Sequence, residues 1–159
     1  MNKERENKFL ERAIELSRKG MQGGSGGPFG CVIVQGDEIV GEGYNMVTSS
    51  NDPTAHAEVV AIRNACEKLG TYQLNECEIY TSCEPCPMCL GAIYWARPLC
   101  VIYANTKQEA AAIEFDDDFI YNEINTKLED RKIPFIHHPH ADAKKVFEEW
   151  KSWEGKKRY

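Results

Sequence analysis

The chain reads as an α/β protein: a three-layer α/β/α sandwich around a central mixed sheet of about five strands. Two observations predict this. Short apolar runs of β-type composition alternate with longer segments of helical periodicity, and the first two runs flank a Gly-Asp turn that would pair them as a hairpin. Neither an internal repeat nor a low-complexity linker divides the 159 residues, so one domain over 1–159 is expected.

The elements follow in order. Phe9, Leu10, Ala13, Ile14 and Leu16 recur at helical spacing and predict a helix over Lys3 to Lys19, with Gly20 capping it. Gly23-Gly24-Ser25-Gly26-Gly27-Pro28 then breaks regular structure. It lacks the Lys-Ser/Thr of a phosphate loop and a strand before it, and so reads as a tight turn beside Phe29. Cys31–Val34 and Glu38–Tyr44 form the expected hairpin about Gly36-Asp37. A polar loop from Thr48 to Thr54 leads into a helix over Ala55 to Leu69, closed by Gly70. Beyond it come a strand at Cys77–Thr81, a helix at Pro87–Ala96 and a strand at Leu99–Ala104. Helices at Lys107–Ile113 and Asp118–Leu128, a short fifth strand at Ile133–His137 and an amphipathic helix at Asp142–Trp153 complete the chain.

Composition narrows the function classes. With 42% hydrophobic and 28% charged residues, the chain has the make-up of a soluble globular protein. Residues 1–12 are charged throughout, without the apolar centre of a signal peptide, and no run reaches the length of a membrane span. A cytoplasmic protein with no membrane partner is expected. Seven cysteines, an odd number, argue for thiols and metal binding over a disulfide framework. Cys31, Cys66, Cys77 and Cys100 fall in apolar patterns and read as small buried hydrophobes. The formal net charge of −6 lacks the basic face of a nucleic-acid reader and favours a small-molecule substrate; only Lys156-Lys157-Arg158 is densely basic.

Two clusters carry the chemistry: His56-Ala57-Glu58 and Pro85-Cys86-Pro87-Met88-Cys89. His56, Cys86 and Cys89 supply three zinc ligands, and Glu58 is a carboxylate that is not needed to fill the shell. A structural zinc is closed by four protein ligands, whereas a catalytic zinc keeps a position open for water. A carboxylate beside that position can take a proton from the water and deliver it to a leaving group. Each cluster opens a helix, where backbone N–H groups and the helix dipole favour thiolates. Cys86 and Cys89, three apart, can face one ion, and Pro87 suits a first helical turn. A structural zinc knot with Cys83 as fourth ligand would give Glu58 no role, and Cys83 lies across Glu84-Pro85 at a strand end. A redox pair would leave both His56 and Glu58 unexplained. The spacing His-x-Glu then Pro-Cys-x-x-Cys is the pattern of zinc-dependent nucleobase deaminases.

Nearly the whole chain resembles the bacterial guanine deaminases of the cytidine deaminase-like superfamily. The likeness is close in Gly26-Gly27-Pro28-Phe29-Gly30, across Asn51 to Glu58, and across Tyr80 to Pro98. Phe115-Asp116-Asp117, Phe119-Ile120-Tyr121 and Tyr159 look like the guanine-specific members; Lys132 to Ala143 matches less well. The resemblance implies one Zn2+ per subunit and hydrolysis of guanine to xanthine and ammonia in purine salvage or catabolism, with Glu58 as the proton shuttle. It also implies substrate contacts from Asn45, whose amide offers a donor and an acceptor, and from Phe29 by stacking on the purine. Asp117 would accept ring N–H groups, and the backbone near Ala57 and Cys86 would hold the amine and the attacking oxygen. Finally, it implies a homodimer that exchanges C-terminal segments from about residue 130 onward, with Tyr159 lining the partner's pocket. Guanosine deamination is the nearest alternative, followed by cytosine and transfer-RNA adenosine deamination. A non-catalytic zinc-stabilised module is the alternative outside enzymes. His137, His138 and His140, with no Cys-rich pattern nearby, are expected at the surface or a subunit contact.

Overall fold

The structure, a computed structural model, describes residues 3–115 and 117–159. Two compact units make it up, the first ending at Asp118 and the second running from Phe119 to Tyr159.

In the first unit, α1 (Lys3–Gln22) leads to the hairpin β1 (Gly30–Gln35) and β2 (Glu38–Tyr44). A single helical turn α2 (Val47–Ser50) falls inside the predicted loop, and α3 (Ala57–Leu69) follows, closed as expected by Gly70 at φ 63°. Then come β3 (Cys77–Cys83), α4 (Pro87–Ala96), β4 (Cys100–Asn105) and α5 (Lys107–Ala111). The sheet has order β2-β1-β3-β4, with β1 antiparallel to both neighbours and β3 parallel to β4.

Side-chain alternation on the two central strands explains the layers. Val32, Val34 and Tyr80 point to one face and pack against Phe9 and Leu16 of α1. Cys31, Ile33, Cys77 and Ile79 point to the other and meet Ala57, Ala61 and Ala65 of α3 and Ile93 of α4. β1 is buried along five of its six residues, as a strand covered on both faces must be. The small α3 residues let that helix lie directly on β2. At Gly43 an added Cβ would stand 2.6 Å from the Ala61 backbone nitrogen, so only glycine permits this approach. At the rim of β2, Arg12 grips Glu42 with two hydrogen bonds of 2.7 and 2.9 Å.

Four expectations need correction. Cys100 is exposed at the start of β4 and not buried. Gly20 lies inside α1 and does not cap it; a Cβ there would meet the Tyr44 ring at 2.7 Å, so the glycine makes room for Tyr44. The sheet has four strands, not about five: Ile133–His137 forms no ladder among the described residues. Pro134, the second residue of that segment, lacks an N–H, and Ile133, Phe135 and Ile136 are exposed. The single helix expected over Asp118–Leu128 is split into α6 (Asp118–Asn125) and a 3-10 turn at Leu128–Asp130. At the break Thr126 and Asn125 side chains donate to the carbonyls of Asn122 and Tyr121, competing with continuation of the helix.

The second unit ends in α7 (Ala141–Ser152). Neither α6 nor α7 contains a buried residue. The apolar side chains of this unit are open instead, Ile136 at 88% and Phe147 at 80% exposure, and Trp150 and Trp153 stack edge to face at 5.4 Å. No helix among the described residues is long and apolar enough to cross a membrane.

Candidate metal centre and active site

Two helix N-termini converge on one point. His56 precedes α3 in an extended conformation (φ −70°, ψ 156°), which swings its ring off the helix, while Ala57 and Glu58 occupy the first two helical positions. Cys86 stands in the same place before α4 (φ −66°, ψ 168°), with Pro87 inside the first turn. The Cys89 amide donates to Cys86 Sγ at 3.5 Å, so the helix start itself holds one sulfur.

The donor atoms fit a tetrahedral zinc. His56 Nδ1 lies 3.5 Å from Cys86 Sγ and 3.5 Å from Cys89 Sγ. Zinc bonds of ~2.3 Å to sulfur and ~2.0 Å to nitrogen, at tetrahedral angles, require N···S separations of about 3.5 Å. Among the described residues this trio is the group whose ligand atoms gather within 4.8 Å. Cys83 is not in it; its Sγ faces the Thr106 carbonyl at 3.7 Å, which leaves a fourth position for something other than protein.

The protons in the trio are unevenly held. Cys86 gives up its proton readily because Cys89 and His56 hydrogen-bond its thiolate, whereas Cys89, beside that sulfur and buried, keeps its own. The His56 imidazole is pushed up, first by its hydrogen bond to Cys86. Glu58 is 5% exposed, and burial pushes its carboxyl up. Thr81 donates to its Oε1 at 2.8 Å, and its Oε2 lies 3.3 Å from Cys89 Sγ.

A cavity of about 630 Å³ opens beside these groups and is lined by His56, Glu58 and Cys86 together with Asn45, Phe29 and Asp117. The structure thus brings together six residues singled out in the sequence. Cys89 lies behind them, fully buried, and Ala57 is buried at the start of α3. Tyr159 belongs to the second unit and is 68% exposed. Asp116 lies outside the described residues. Asn45 is fixed in one orientation, since its Oδ1 accepts the Val47 amide at 3.2 Å and its side-chain amine is the group left to meet a ligand. Gly26 packs on that amide, and a Cβ there would reach Asn45 Cγ at 2.9 Å. The Phe29 ring meets Phe115 edge-on at 4.9 Å, while also packing on the core below.

Residues 3–105, which include His56, Glu58, Cys86 and Cys89, match the model of the cytidine and deoxycytidylate deaminase zinc-binding region. The chain belongs to this zinc-binding deaminase family. It is 56% identical over 151 residues to the guanine deaminase of Bacillus subtilis (strain 168), covering 95% of this chain and 97% of that protein. The X-ray structure of Bacillus subtilis guanine deaminase superposes with a TM-score of 0.94 at 55% identity, covering 100% of this chain and 99% of that one. A structure solved with 8-azaguanine matches at TM-score 0.65 and 34% identity, over 69% of this chain and 63% of that one. The tRNA-specific adenosine deaminase of Aquifex aeolicus (strain VF5) is 30% identical, over 89% of this chain and 91% of that protein. The family requires a zinc, and the spacing of the trio accommodates it.

Sequence reasoning missed Thr81 and Gly26. A signal existed for Thr81: on the inward face of β3 it is the one polar residue in the run Cys77, Ile79, Thr81, Cys83. Gly26 carries no such signal, because its role depends on which side chain the fold brings over it.

Proposed function

We propose that this chain is a guanine aminohydrolase, converting guanine and water to xanthine and ammonia, with zinc held by His56, Cys86 and Cys89. The observation that carries this reading is the 56% identity to a guanine deaminase along almost the full length of both chains. The match covers 95% of this chain, the second unit included, at almost twice the identity shared with the adenosine deaminase of Aquifex aeolicus. A structure bound to a guanine analogue adds support for a purine base in the cavity.

Zinc, when bound, supplies the Lewis acidity that lowers the pKa of a water from ~15.7 toward ~7. Glu58 would carry two protons in turn. The first goes from the attacking water to the ring nitrogen as the C2–O bond forms. The second goes from the hydroxyl then on C2 to the amine, as the C2–N bond breaks and ammonia leaves. The burial of Glu58 suits this part, because a carboxyl whose pKa is raised by burial is a stronger proton acceptor when ionised. Asn45 donates its side-chain amine to an acceptor on the purine. Phe29 stacks on the ring, and Asp117 accepts from ring N–H groups. The Ala57 and Cys86 backbone, at two helix starts, orients the amine and the incoming oxygen.

Residues 1–159 form one deaminase domain whose C-terminal segment is exchanged with a second copy of the chain. The exposed apolar side chains of the second unit, Phe147, Trp150 and Trp153 among them, support a covering partner. The copy's Tyr159 would then close the cavity. The protein acts in the cytoplasm on a small molecule.

Ammonia release from guanine, guanosine, cytosine and adenine, measured side by side on the zinc-loaded protein, tests the reading. Guanine is expected to be the best substrate. No turnover of guanine would overturn the proposal, and faster turnover of guanosine would move the assignment to the nucleoside.

A further inference from the structure

We propose that Thr81 is a positioning residue for proton transfer, its hydroxyl holding one oxygen of Glu58 so that the other faces the metal ligands. This rests on Glu58 acting as the proton carrier. Thr81 is 1% exposed and sits on β3, on the sheet face covered by α3. Its neighbours on that face, Cys77, Ile79 and Cys83, are apolar or thiol, so its hydroxyl has few partners within reach. A hydroxyl has one proton to give. The Gly30 carbonyl is 3.5 Å away, at the limit of a hydrogen bond, whereas Glu58 Oε1 is at 2.8 Å. The proton therefore goes to Glu58.

This bond divides the two carboxylate oxygens. Oε1 is tied to the sheet, which is the rigid centre of the fold, and Oε2 is directed at Cys89 Sγ at 3.3 Å, inside the zinc trio. A sulfur committed to a metal has no proton to donate, so its contact with Oε2 does not restrain Glu58 in the zinc-loaded protein. Thr81 then remains the side chain that restrains it. A carboxylate free to rotate about its last torsion would spend less time with an oxygen at the open metal position. Misplacement on the scale of an ångström slows chemistry without weakening substrate binding.

Thr81→Val keeps the shape of the side chain and removes the hydroxyl; Thr81→Ser keeps the hydroxyl and removes the methyl. With guanine as substrate, Val is expected to lower kcat by roughly 10- to 100-fold. KM and zinc content should stay unchanged, and Ser should recover most of the loss. Wild-type kcat in the Val variant overturns the proposal, as does a Ser variant as slow as Val, or a loss confined to KM. If Val fails to bind zinc, Thr81→Ala provides a second hydroxyl-free side chain, judged by the same comparison with Ser. A crystal structure of the zinc-loaded wild type gives a readout independent of substrate. Thr81 Oγ1 within hydrogen-bond distance of Glu58 supports the inference, and separation beyond about 3.5 Å overturns it. Failure of the wild type to deaminate guanine would sink the assigned reaction, while this structural readout would still decide the Thr81 contact.

Discussion

Cys89 Sγ and Glu58 Oε2 lie 3.3 Å apart, linking the first turn of α4 to the first turn of α3 across 31 residues of sequence. A sulfur of the metal-site trio and a buried carboxylate are thereby held at one point by two separate helix starts. Removing either has a different consequence. Glu58→Gln should lower kcat by about 10²- to 10⁴-fold with zinc content retained, whereas Cys89→Ala should lose both zinc and activity. Metal analysis beside ammonia release checks this; full activity in Glu58→Gln would remove the carboxylate from the mechanism.

Gly26 and Asn45 should behave as one unit. Asn45→Ala removes the donor left to face the cavity, and Gly26→Ala pushes a methyl against the same amide. Each is expected to lower kcat/KM for guanine by roughly 10- to 100-fold, the scale of one lost buried hydrogen bond. The double variant should be little worse than either single one. Additive losses would separate the two residues.

Gly43→Ala tests how the sheet sets the site. Its methyl would collide with the backbone of α3 at Ala57 and Ala61, one turn from His56. Overpacking of this kind costs about 1–3 kcal/mol, so a lowered Tm and weakened zinc binding are expected together. Thermal unfolding with and without a chelator would measure both, and an unchanged zinc affinity would uncouple this packing from the metal centre.

Acid should weaken the clamp between Arg12 and Glu42. The guanidinium's hydrogen bonds hold the Glu42 carboxyl below its ordinary 4.5. The unfolded chain therefore takes up that proton first as the pH falls. The stabilisation is complete above 4.5 and disappears as the pH drops through the lowered folded value. Because the pair is partly exposed, its worth is ~0.5–1 kcal/mol after solvent screening. Glu42→Gln should lower Tm by about 1–4 °C at neutral pH and by progressively less in acid. A constant difference across that range would rule out the charge as its cause.

The second unit should be an intersubunit arm. Light scattering is expected to report a dimer, and deletion of Lys157–Tyr159 should cut turnover while zinc content stays the same. A fully active truncated protein would remove Tyr159 from catalysis, and a monomeric wild type would remove the exchange.

Much of the architecture was legible because local periodicity and burial agree. The two-sided cover of β1 appears as an unbroken apolar run, and the helix after the His56 motif ends at Gly70 as its sequence indicates. The errors arose where a local pattern competed with a distant contact. Gly20 resembles a helix cap, yet it makes room for Tyr44, 24 positions further on. Ile133–His137 has the composition of a strand, but a strand needs a ladder, and Pro134 weakens its claim to one.

The sequence by itself determined the ligand set and the spare carboxylate, because metal chemistry depends on side-chain type and on spacing at helix starts. It also determined the three-layer arrangement, through the alternation of strands with helices along the chain. Only the tertiary structure decided how the parts work together. It set the 3.5 Å separations that fit zinc, turned Asn45 to present a donor, and placed Thr81 under one oxygen of Glu58. These relations join residues 2 to 33 positions apart, and packing between separate elements, not local preference, sets most of their distances.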